Sequence, residues 1–164
     1  MTLLETPWYL RPHDPTARDA FETVRRLAWL ETSVAEILAA LDREPAWDAL
    51  IRGWHADAQR QQQRLRQLER VLSAGDDVDL PATPKPRPSE ASTIECLVAL
   101  AERETEAYRA ALEGLVAPEV VRRVLRDGLR EAETRRARLE DGVTHLAEAG
   151  TRALSAGSPS GRLD

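Results

Sequence analysis

Apolar residues return every three or four positions in four separate stretches of this chain, the period of a helix that buries one face. The first stretch runs Phe21, Val24, Leu27, Ala28, Val34, Ala35, Leu38, Leu41. The second runs Trp47, Leu50, Ile51, Trp54, Ala58, Leu65, Leu68, Leu72, and the third Ile94, Leu97, Val98, Ala101, Tyr108, Ala111, Leu112, Leu115. The fourth is Val121, Val124, Leu125, Leu129, Ala132, Leu139, Val143, Leu146. Punctuation falls between them. Asp14-Pro15 is a helix start, Pro45 and Pro118 each end one helix and open the next, and Ser92-Thr93-Ile94-Glu95 is a capping box. The pattern predicts helices over about 16–43, 45–73, 92–115 and 118–149, with an extended arm at 1–15 and a disordered tail at 150–164.

Residues 74–91 differ from the rest. They hold Pro81, Pro84, Pro86 and Pro88 and the acids Asp76, Asp77 and Asp79, the composition of an extended linker. At ~3.3 Å per residue such a linker reaches about 55 Å, enough to traverse a helix rising 1.5 Å per residue over about 28 residues. The two outer connections are short. The expected fold is therefore all-α: one four-helix bundle of two antiparallel hairpins joined by a long crossover, the ferritin-like topology.

Composition narrows the classes. A chain of 164 residues with 42% apolar content supports a single domain with its own core. The net charge of −5 comes from interleaved acids and bases, which argues against a nucleic-acid or membrane-surface binder. Of 23 basic residues only Lys85 is lysine, a bias that fits a GC-rich bacterial genome and carries no functional meaning. The single cysteine, Cys96, excludes an internal disulfide and reads as a small buried hydrophobe. No apolar run approaches the ~20 residues of a membrane span, and the first fifteen residues do not read as a signal peptide. A bacterial cytoplasmic protein is the expectation.

The candidate chemistry sits on two interrupted stripes. Leu27-Ala28-x-x-Glu31-Thr32 in the first helix recurs as Leu100-Ala101-x-x-Glu104-Thr105 in the third. Both glutamates break an apolar face, and a buried carboxylate has to be neutralised, paired or metal-bound. In this the chain resembles the ferritin-like di-iron carboxylate superfamily over roughly residues 17–149. That resemblance implies one glutamate each from helices one and three and a Glu-x-x-His pair each from helices two and four. Glu31 and Glu104 match. The pair positions read Gln59-x-x-Gln62 and Glu133-x-x-Arg136, so both histidines are missing and one carboxylate is an amide. His13, His55 and His145 lie elsewhere, with His55 one turn from Gln59 as a conceivable stand-in.

Arginine has no lone pair for a metal, but its charged fork suits buried carboxylates. The expected centre is thus a buried polar network of Glu31, Glu104, Glu133, Arg136 (or its neighbour Arg135), Gln59 and Gln62, without metal or other cofactor. Two alternatives stand beside it: glutamates at the stripe's edge reaching water, and an iron or manganese site on Glu31, Glu104 and Glu133. The functional expectation is a non-catalytic bundle acting as a structural or protein-interaction module. The alternative is a carboxylate-bridged di-metal protein or oxidoreductase. Trp29, among Glu22, Arg25, Arg26, Ser33 and Glu36, is the expected homodimer contact, with cover by Trp8-Tyr9 as the other possibility.

Overall fold

A computed structural model describes residues 15–41, 44–72 and 92–156. The arm at 1–14, the linker at 74–91 and the cap Asp14 lie outside the described residues. The described chain is four helices with no strand: α1 (Pro15–Ala40), α2 (Asp48–Leu72), α3 (Thr93–Gly114) and α4 (Glu119–Ala156). None is long and apolar enough to cross a membrane.

Local chemistry sets the boundaries. At the start of α3 the Ser92 side chain accepts from the Glu95 amide and the Glu95 carboxylate accepts from the Ser92 amide, satisfying two otherwise free donors. Pro118 leads into α4, its carbonyl accepting from the amides of Val121 and Arg122. Pro45 stands in a turn closed by the Trp47 amide on the Glu44 carbonyl, and the helix starts three residues later at Asp48. The expected end near residue 149 is corrected: α4 runs through Gly150 to Ala156. One helical glycine costs only ~1 kcal/mol against alanine, and the arginine, alanines and leucine that follow favour helix.

The inward faces step by four and three. On α2 they are Trp47, Ile51, Trp54, Ala58, Gln61, Leu65, Leu68 and Leu72. On α4 they are Val121, Leu125, Gly128, Ala132, Arg135 and Leu139. Val143, one of the expected core residues, is exposed instead, and Cys96 is only half-buried. Complete burial of Leu65, Leu97 and Leu125 contributes about 1.5–3 kcal/mol each.

Helix α1 packs chiefly on α2 and α3 on α4, with narrower seams joining α1 to α3 and α2 to α4. Along the α2–α4 seam the partners run in opposite order. Trp47 lies against Gly142, Asp57 is 3.8 Å from Arg135, and Arg64 is 3.2 Å from Asp127. Four faces of this kind enclose one core, and its middle is polar.

Candidate functional site: a buried carboxyl pair

Glu31 is 3% exposed and Glu104 not at all. Their surroundings start alike, because both lie in copies of the repeat. Thr32 donates to the Ala28 carbonyl at 2.9 Å and Thr105 to the Ala101 carbonyl at 2.8 Å, so each hydroxyl is satisfied within its own helix.

The carboxyls then diverge. Glu104 Oε2 accepts from Arg135 Nη1 at 2.6 Å and from Trp54 Nε1 at 3.1 Å. The Arg135 guanidinium lies over the Trp54 ring, 5.1 Å from its centroid, and its Nη2 reaches within 3.8 Å of Asp57. Among the described residues no cation forms an ion pair with Glu31. Its Oε1 accepts from the Tyr108 hydroxyl at 2.6 Å, and Gln61 Nε2, beside that ring, donates to the Val124 carbonyl at 3.4 Å. The Tyr108 ring has room because position 128 is glycine. An added Cβ there would lie 2.5 Å from Tyr108 Cε1 and 2.7 Å from Gln61 Nε2.

Two oxygens remain, Glu31 Oε2 and Glu104 Oε1, both buried and with no other donor. With both carboxyls ionised, these oxygens would be two unpaired buried acceptors. A proton on Glu31, donated to Glu104, satisfies both. Burial, the Glu104 charge and that hydrogen bond all hold the Glu31 carboxyl well above the ordinary carboxylate range; the Tyr108 hydrogen bond and Arg135 oppose them without prevailing. Burial and the neighbouring Glu31 push the Tyr108 hydroxyl up as well, so it stays a donor. The centre thus sets two buried carboxyls, one of them biased towards its protonated form, beside one arginine.

The structure brings together Glu31, Glu104 and an arginine, but several expected members lie elsewhere. Glu133 is exposed and pairs with Arg109 at 3.3 Å. Arg136 pairs with Glu140 on the outside of α4 at 3.2 Å, and the inward arginine is Arg135. Gln59 is exposed. Gln62 is half-buried and donates to Thr32 Oγ1 at 2.6 Å, beside the centre rather than in it. The correction is the same on both helices, a shift by one residue, which turns a helix by ~100°. The inward pairs three apart are Ala58-x-x-Gln61 and Ala132-x-x-Arg135. The apolar stripe held that register, since Gln61 sits between Ala58 and Leu65, and Arg135 between Ala132 and Leu139. Trp54 and Tyr108 were legible as core; their roles as donors across the bundle were not.

These residues do not fit a di-metal centre. Two carboxyls converge, no histidine of the described residues joins them, and a guanidinium sits beside them. Among the described residues no group of three histidines, cysteines or acids is placed to hold a metal ion. Trp29 lies half-buried on α1, its Nε1 closed off from solvent without a hydrogen-bond partner among the described residues. It borders a groove of about 470 Å³ shared with Leu30 and Ala107. Comparison with family models, with curated proteins and with solved structures finds no match to this chain.

Proposed function

We propose that the chain is a ferritin-like bundle whose polar centre is an internal salt bridge and shared proton in place of metal, and that it acts as a structural or protein-interaction module rather than an enzyme. The observation that carries this reading is the 2.6 Å contact of Arg135 with the fully buried Glu104. A permanent cation there neutralises the carboxylate and repels a second cation. The topology has its own support. The opposed order of contacts along α2 and α4 favours antiparallel neighbours, and the pairing of α1 with α2 and α3 with α4 favours two hairpins with residues 74–91 crossing between them. A bundle so closed in its interior works through its surface. Trp29, beside its apolar groove, is the contact we assign to a second copy.

Metal analysis tests the centre. Protein purified without chelators, then incubated with ferrous iron or manganese and desalted, is expected to retain far less than one ion per chain. Stoichiometric retention that Glu104→Gln abolishes would overturn the reading and favour the di-metal alternative. For the surface, Trp29→Asp is expected to convert a sedimenting dimer to monomer. A wild type already monomeric at high micromolar concentration refutes the dimer.

A further inference from the structure

Charge is divided unevenly among the helices. α2 and α4 carry more arginines than acids, and α1 and α3 more acids than arginines, so a chain that is negative as a whole has a basic side. On that side a cleft of about 390 Å³ lies between α2 and α4. Its charged lining is Arg60 of α2 and Arg130, Arg135 and Arg138 of α4, against the acids Asp57 and Glu131.

The two ends of the cleft differ. At one, Asp57 is paired with Arg60, and Glu131 follows Arg130 on α4. At the other, the α2 wall is Ala49, Leu50 and Gly53, the stretch between the Trp47–Gly142 contact and the approach of Asp57 to Arg135. That wall offers Arg138 no acid, and Arg138 forms no ion pair among the described residues. Arg135 stands one turn before it, and like charges at that spacing repel. Arg135 is fixed, nine-tenths buried with Nη1 on Glu104 and its guanidinium over Trp54. Among the described residues its Nη2 has only Asp57, at 3.8 Å, beyond hydrogen-bond distance. An anion between the two guanidiniums relieves the repulsion and takes up the free donors. A carboxylate has two oxygens and fills one guanidinium fork, whereas a phosphoryl group has three and serves both.

We propose that this cleft binds a phosphoryl group, held at its acid-free end by Arg135 Nη2 and the Arg138 guanidinium. The site depends neither on the ferritin-like topology nor on a second copy at Trp29.

Inorganic phosphate is the probe, titrated into the full chain at neutral pH and constant ionic strength. It is expected to shift the Trp54 indole N–H resonance in a saturable way, because that N–H and Arg135 Nη1 share one Glu104 oxygen. Acetate is expected to bind at least about tenfold more weakly. Arg138→Ala is expected to weaken phosphate about tenfold, and Arg123→Ala, exposed on α4 outside the cleft, to leave it unchanged. Asp57→Asn removes a competing negative charge and is expected to tighten phosphate severalfold. Glycerol 3-phosphate separates the sources of the group. Binding at least as tight as phosphate assigns the site to a monoester, and binding about tenfold weaker assigns it to the free ion. Shifts that stay linear in phosphate, equal affinity for acetate, or equal losses in Arg138→Ala and Arg123→Ala would each overturn the proposal.

Discussion

The halves α1–α2 and α3–α4 carry the same repeat yet treat its glutamate in opposite ways. In the second half Glu104 is fully buried and held by Arg135 and by Trp54 from across the bundle. In the first half Glu31 accepts from the neutral hydroxyl of Tyr108, and burial holds its carboxyl well above the ordinary carboxylate range. Large and small residues are exchanged to the same effect. The stripe position that is Trp54 on α2 is Gly128 on α4, and the ring that fills the space beside Gly128 is Tyr108. Two equal buried anions would repel, whereas one anion, one acid and one cation form a closed set. The lesson is that a duplicated carboxylate stays buried here only where its copies have ceased to be equivalent.

The sharpest way to break that arrangement is to remove its cation. Arg135→Ala leaves the Glu104 charge buried and is expected to cost about 3–5 kcal/mol in denaturant unfolding. Arg136→Ala removes only an exposed pair with Glu140 and is expected to stay within about 0.5 kcal/mol of wild type. Equal effects would mean that Arg135 is not holding Glu104.

A second test acts on the exchanged sizes. Gly128→Ala drives a methyl into Tyr108 and Gln61 and is expected to destabilise by about 1–3 kcal/mol, despite alanine's better helix propensity. Gly53→Ala meets nothing and is expected to stabilise by up to ~1 kcal/mol. If both changes stabilise, the ring of Tyr108 does not need the space beside position 128.

The third test sharpens the contrast in protonation. The folded pKa of Glu31 is raised, so below its unfolded value of about 4.3 both states hold the proton and pH has no effect through this group. Above that value the unfolded chain releases the proton while the folded one keeps it. Stability then falls by up to about 1.4 kcal/mol per pH unit until the folded pKa is reached. Glu31→Gln imitates the protonated acid, donating to Glu104 and accepting from Tyr108, and is expected to remove this slope. Its gain over wild type should grow in urea melts as the pH rises above about 4.3. A variant that loses stability at every pH would show that Glu31 is needed as an anion.

How much of this was legible in the sequence depended on whether a residue's role was local. The four helices follow from stripe periodicity and punctuation, and Glu31 and Glu104 stood out because each interrupts a stripe. The error lay in choosing their companions by residue identity. Glu133 matched the glutamate of the expected Glu-x-x-His and Arg136 fell on its histidine position, but neither is in the register that Ala132 and Leu139 impose, and burial follows register. Tyr108 meets Glu31 from 77 positions away, and Trp54 meets Glu104 from 50. Nothing in local spacing encodes such pairings, which exist only once the helices have packed.

A proton held between Glu31 and Glu104 would have a consequence in time as well as in energy. Neither carboxyl is open to water, so that proton can be traded with solvent only when the helices part around it. Its residence time is then set by how often the bundle opens at its middle, whatever the fraying at the helix ends. In deuterated solvent this single hydrogen would act as an internal clock, ticking at the opening rate of the centre and ignoring the rest of the chain.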